Sequence, residues 1–141
     1  MPLSGGLVQG GGVSIVPAAA RTTTTTGAAV DVFGFERVDI IVATGTVTDG
    51  TYDISLTECD TVGGSYTAVA AADIVHHSTG SGANGAIIPT TGDDAIYVFG
   101  YIGSLQFIKV VATAQGTPST GAVYAAVVIG RDARRQPVTT P

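Results

Sequence analysis

From residue 28 onward, apolar residues return at every second position in one segment after another, and this period of two constrains the chain most. Val38, Ile40 and Val42 share one face of an extended run. Tyr52, Ile54 and Leu56 share one face of the next, with Thr51, Asp53, Ser55 and Thr57 on the other. Side chains of a strand alternate between two faces, so these runs read as half-buried antiparallel strands. Nowhere does an apolar stripe at spacing 3 and 4 run for a dozen residues, so a helix would have no face to bury. Thr, Val and Ile, stiff at χ1 and suited to a pleated surface, are abundant.

Glycine punctuates the runs. "TGTVTDGT" places Asp49-Gly50 between the first two strands, a pair that supplies the positive φ angles of a hairpin turn. "CDTVGGSY" places Gly63-Gly64 before a short strand around Tyr66 to Val69, and further runs follow at 95–102, 106–113 and 122–129. At least six short strands with glycine-rich turns predict an all-β protein: a single antiparallel β-sandwich, jelly-roll or Greek-key like, over residues 28–130 with negligible helix. A chain of 141 residues buries one useful core and seldom two.

The ends differ from this body. Residues 1–27 hold two glycine clusters, Pro17 and the run Thr22 to Thr26, with only Leu7-Val8 and "VSIV" as apolar pieces. They read as an N-terminal arm, extended and unable to form a core element alone. Its apolar residues Leu7, Val8, Val13, Ile15 and Val16 are expected to be buried by a partner, with residues 13–16 as an added strand. Deleting residues 1–27 is expected to leave a folded sandwich. Residues 131–141 form a C-terminal tail with Arg131, Arg134 and Arg135 against Asp132, a charge of +2 on a chain whose first 130 residues carry −7.

The run "AVYAAVVI" at 122–129 is apolar on both faces. Such a strand either lies between two covered faces or packs its second face on another chain; the second option makes Tyr124 and Val128 partner contacts and predicts a homo-oligomer. Composition agrees: 45% of residues are hydrophobic and only 12% charged. The longest apolar run is far shorter than the roughly 20 residues that span a bilayer, and "MPLSGGLVQGGG" lacks the charged and apolar regions of a secretory signal. A net charge of −5 argues against a general nucleic-acid or anionic-membrane binder.

Candidate chemistry is sparse. "GSGANG", residues 80–85, matches G-x-G-x-x-G, but a dinucleotide site needs a helix to follow, and here "AIIPTTGDD" brings Pro89 and Gly92. A turned loop is the expectation. His76 and His77 are neighbours and would point to opposite faces of a strand, so they do not chelate one ion together. Asp93-Asp94 lacks the alternating ligands of a calcium loop. Cys59 lies between Glu58 and Asp60, which disfavour a thiolate. No catalytic residue, cofactor or metal is expected.

Two stretches, "GAAVDVFGFERVDIIVATGTVTDGTYDISLTECDTVGGSYTAV" and "YIGSLQFIKVVATAQGTPSTGAVYAAVVIGRDARRQPV", resemble small β-rich virion proteins of tailed bacteriophages over roughly residues 28–138. The shared pattern is an apolar D-x-x-G-F segment leading into a Val/Ile strand, a strand ending before a glycine turn, and Y-I-G ahead of a further strand. Cys59 stands where that group has serine, and "QFIKVV" replaces an arginine-rich strand. The resemblance implies a non-enzymatic capsid decoration or cement protein on the head surface, assembled in the host cytoplasm. Its implied partners are the major capsid protein and further copies of itself, three being the number implied by the geometry of shell-decorating proteins. A tail or head-to-tail connector component is the alternative within the particle. The rhythm "SLTECDTVGGSYTAV" followed by "FIKVV" is also similar to carbohydrate-binding jelly-roll modules, though those present Trp, Tyr or Arg to sugar and this chain has no Trp.

Overall fold

The computed structural model describes residues 10–76, 80 and 82–133. Among these, eleven strands form in chain order: β1 (Gly10–Ile15), β2 (Thr25–Thr26), β3 (Val30–Asp31), β4 (Phe35–Val47), β5 (Thr51–Cys59), β6 (Thr67–Ala68), β7 (Ile74–His76), β8 (Asn84–Ile88), β9 (Ile96–Tyr101), β10 (Phe107–Gln115) and β11 (Ala122–Ala133). One short 3-10 turn, Ala71–Asp73, precedes β7. The protein is all-β, and every strand pairing is antiparallel.

Two sheets face each other. The first has the order β1-β11-β4-β9-β7; the second is built on β10 and β5, with β2 and β3 along the free side of β10 and β6 and β8 along that of β5. The expected alternation sets the faces: Val38, Ile40 and Val42 of β4 and Tyr52, Ile54 and Leu56 of β5 all point into one shared core. There Tyr52 and Tyr124, one from each sheet, meet with ring centroids 5.3 Å apart.

The connections differ from expectation. Asp49-Gly50 does not close a hairpin, because β4 and β5 lie in different sheets. Only Gly50 of the pair has positive φ, and the turn carries the chain from one layer to the other. The Asp49 carboxylate accepts hydrogen bonds from the backbone N–H groups of Ser119, Thr120 and Gly121, tying this crossing to the one between β10 and β11. Of the chain-neighbouring strands, β5 and β6 do pair, around the Gly63-Gly64 turn. Alternation reports which face of a strand is buried, and says nothing about which sheet the strand joins.

The N-terminal segment also differs. Residues 10–27, expected as part of a docking arm, are built into the sandwich. β1 pairs with β11 from Gly10↔Gly130 to Ile15↔Ala126, and Ile15 is only 2% exposed, a core residue. The Ser14 hydroxyl donates to the Ala28 carbonyl at 2.8 Å and accepts from Val110 N–H at 3.0 Å, which joins the two sheets along this edge. The threonine run then crosses to the second sheet, where Thr25 and Thr26 pair with Ala112 and Val111. Arg21 pins the crossing: its guanidinium donates to the Tyr124 and Val16 carbonyls and lies 5.1 Å over the Tyr124 ring. The physical reason is that the sandwich has an open edge at β11 and β10, and an in-chain strand satisfies its hydrogen bonds without a second molecule. Arg131–Ala133 likewise belong to β11. Residues 1–9 and 134–141, with Leu7, Val8, Arg134 and Arg135, lie outside the described residues.

Candidate functional site: the outer face of the five-stranded sheet

The two sheets turn very different outer faces to solvent. On the second sheet the outward positions of β5 are Thr51, Asp53, Ser55 and Thr57, and those of β10 are Phe107, Lys109, Val111, Thr113 and Gln115. Gln115 bonds to Asp53 across the strands, and the Lys109 ammonium lies 4.0 Å over the Tyr66 ring. This face is mixed, polar along β5 and interrupted by Phe107 and Val111 on β10.

On the five-stranded sheet, register lines up apolar residues in rows across the strands. Val13, Val127, Ile41 and Val98 form one row; Ala125, Ala43 and Ile96 form the next. Beyond the first row come Ile129, Asp39 and Gly100, and beyond the second Val123 lies against Gly45. Val13 is 45% and Ile96 68% exposed. Charge enters only toward one end, where Arg131 bonds Asp39 at 3.0 Å beside Arg37, and at the far rim, where Asp93 and Asp94 form the turn next to Gly45. Monomeric proteins rarely expose contiguous apolar patches larger than a few hundred Å².

The expected partner residues distribute unevenly over this picture. Val13 lies on the outer face and Val16, also exposed, follows β1. Ile15, Tyr124 and Val128 do not face a partner: the last two are each 1% exposed and sit in the core. The double-apolar character of residues 122–129 holds, but Ala122, Tyr124, Ala126 and Val128 point inward, and Val123, Ala125, Val127 and Ile129 point out. One signal in the sequence could have decided this. Arg131 shares the odd-numbered face with Val123 to Ile129, and an arginine at a strand end belongs on the solvent side.

The remaining candidates are engaged locally and stand apart from one another. "GSGANG" leads into strand β8, not a helix, with Gly82 at positive φ. The His76 imidazole Nε2 lies 2.7 Å from the Asn84 carbonyl, and His77 falls outside the described residues. The Asp93 carboxylate accepts from Val47 N–H. The half-buried Cys59 thiol lies 3.7 Å from the Thr61 hydroxyl. Among the described residues no three His, Cys, Asp or Glu side chains group to hold a metal ion, and no helix is long and apolar enough to cross a membrane. Below the sandwich end, Tyr101 donates to the Glu58 carboxylate at 2.6 Å, and burial together with that bond pushes its phenol well above the ordinary range.

Compared with protein-family models, curated proteins and solved structures, the chain matches none.

Proposed function

We propose that this chain is a structural, non-enzymatic subunit of a tailed-bacteriophage particle, a capsid decoration or cement protein that binds the head shell and reinforces it. The observation that carries the reading is the contrast between the two outer faces. A free-standing sandwich has no use for an apolar sheet exposed on one side only, whereas a subunit built into a repeating shell buries such a face against its neighbours. Many copies then make modest single contacts collectively strong.

Two further features support it. The quoted stretches resemble small β-rich virion proteins. We also read the path as a jelly roll: the strand order β1-β11-β4-β9 on one side and β3-β10-β5-β8 on the other alternates early and late strands as two interlocked Greek keys do, with β6 and β7 as an insertion. That architecture is frequent in viral shells and lectins, and the link from fold to role is an analogy. The chain acts by binding, and His76, Cys59 and the paired Asp93 and Asp94 serve turns and strand ends.

The test is addition of purified protein to purified empty heads of the phage that encodes it, followed by sedimentation and electron microscopy. Saturable binding at regular shell positions, in many copies per head, is expected. Binding confined to tails or the portal vertex would move the protein to the tail or connector class. Recognition of glycans on an array without shell binding would replace the reading with a carbohydrate-binding one.

A further inference from the structure

The chain has a single asparagine, Asn84, and it stands directly before a glycine. Asparagine is a chemically labile residue. We propose that Asn84 is a site of spontaneous covalent modification in the folded protein, closing on Gly85 to a succinimide that opens to aspartate and isoaspartate. The chemistry there does not depend on what either outer face binds.

The fold builds the site from three strands. Asn84 opens β8 and pairs with Ser55, whereas the next registered pair is Ala86 with Ile54. Gly85 is therefore the extra residue of a β-bulge, with no opposite number in β5, and a bulge disrupts the ladder at that point. A Cβ at Gly85 would run into the ring of Phe99, a fully buried residue of β9, so packing admits only glycine. Glycine is also the neighbour that least hinders attack by its own backbone nitrogen, because it lacks a Cβ. From β7 the His76 ring reaches the same peptide group, where Nε2–H donates to the Asn84 carbonyl at 2.7 Å. Gly80 lies close over this contact: a Cβ there would meet both the His76 ring and the Gly85 carbonyl.

The step needs no reactant besides water. The Gly85 nitrogen loses its proton and attacks Cγ of Asn84. The N–Cγ bond forms, the Cγ–Nδ2 bond breaks, and Nδ2 leaves with a proton as ammonia. Water then opens the cyclic imide at either carbonyl, giving aspartate or its β-linked isomer. A donor on the Asn84 main-chain carbonyl draws electron density out of the peptide group and makes the Gly85 N–H more acidic, and His76 supplies that donor. Asp49-Gly50 has the sequence for the same ring closure but is held shut. Its carboxylate accepts from the backbone N–H groups of Ser119, Thr120 and Gly121, and a bound carboxylate anion is a poor electrophile. At residue 84, aspartate would keep the register of β8 and add one negative charge. Isoaspartate would send the main chain through an extra methylene just ahead of Ala86 and Ile88, both fully buried.

The purified full chain, incubated folded at neutral pH and in parallel in urea, tests this by peptide-fragmentation mass spectrometry. Folded protein should convert Asn84 to aspartate and isoaspartate at a rate comparable with that in urea, and should form no isoaspartate at Asp49. His76→Ala, at an exposed position, should slow the folded conversion ~fivefold, the worth of one ordinary hydrogen bond, and leave the rate in urea unchanged. His76→Gln, which keeps an N–H donor, should restore the parent rate. Asn84→Gln, which would have to close a larger ring, should form no acid at residue 84 and should keep the parent's circular dichroism spectrum. The proposal is overturned if Asn84 survives in the folded chain while it is lost in urea, if the folded rate is indifferent to His76→Ala, or if His76→Gln is as slow as His76→Ala.

Discussion

Asp49 shows how a single side chain can hold a crossover. Three backbone N–H groups and the Ser119 hydroxyl converge on its carboxylate, and those donors hold its pKa below the ordinary 3.8. A carboxylate depressed in the folded state stabilises it at neutral pH, and the contribution disappears as pH falls from about 3.8 toward the lower native value. Asp49→Asn should therefore lower the urea midpoint at pH 7, and its stability should fall less steeply than the parent's on acidification. Equilibrium unfolding at a series of pH values checks both. Tyr101 works at the other extreme: burial raises its pKa, so the stability that its neutral phenol supports is present below its ordinary 10.0 and fades above it.

At the level of elements, β1 and its partner strand show what the sequence displayed and what it hid. A stretch reading "GGG" carries no periodicity, and turn chemistry favours a linker there. In the fold those glycines make the strand possible. A Cβ at Gly10 or at its partner Gly130 would meet the Phe35 ring at 2.6 Å, and Gly11 has a φ of +136°. The two facing glycines make room for an aromatic ring from β4, a long-range demand that no local pattern announces. Gly130→Val should cost about 1–3 kcal/mol through overpacking, read as a lower denaturant midpoint with an unchanged slope. By contrast β4 and β5 were legible because their alternation is strong, and β9, β10 and β11 because each is an apolar run bounded by turn residues, while β7 and β8 are short and border "HHSTGSGANG". For the apolar outer face, the sequence disclosed that β11 is apolar on both sides. It left the choice of side to register, and Tyr124 and Val128 belong to the core.

For the molecule as a whole, the N-terminal segment is structural. Because Ile15 fills the core and Ser14 and Arg21 bridge the layers, deleting residues 1–27 should not leave an intact sandwich. Losing one buried isoleucine alone costs about 2–5 kcal/mol by analogy with truncation to alanine, a large part of the stability of a domain this size. The truncated chain should unfold at markedly lower temperature or be recovered insoluble, as scanning calorimetry and solubility on expression would show. A truncated protein with an unchanged melting temperature would restore the segment to the role of an accessory arm.

The pairing of the first described strand with the last has a temporal meaning as well. β1 finds its hydrogen-bond partner more than 100 positions along the chain, and β4 also waits for β11. Contacts so distant in sequence are slow to form, and until β11 is made, β4 has only β9 beside it in its sheet and β1 lacks the strand that it pairs with. The sheet that carries the apolar outer face is thus the last to be finished.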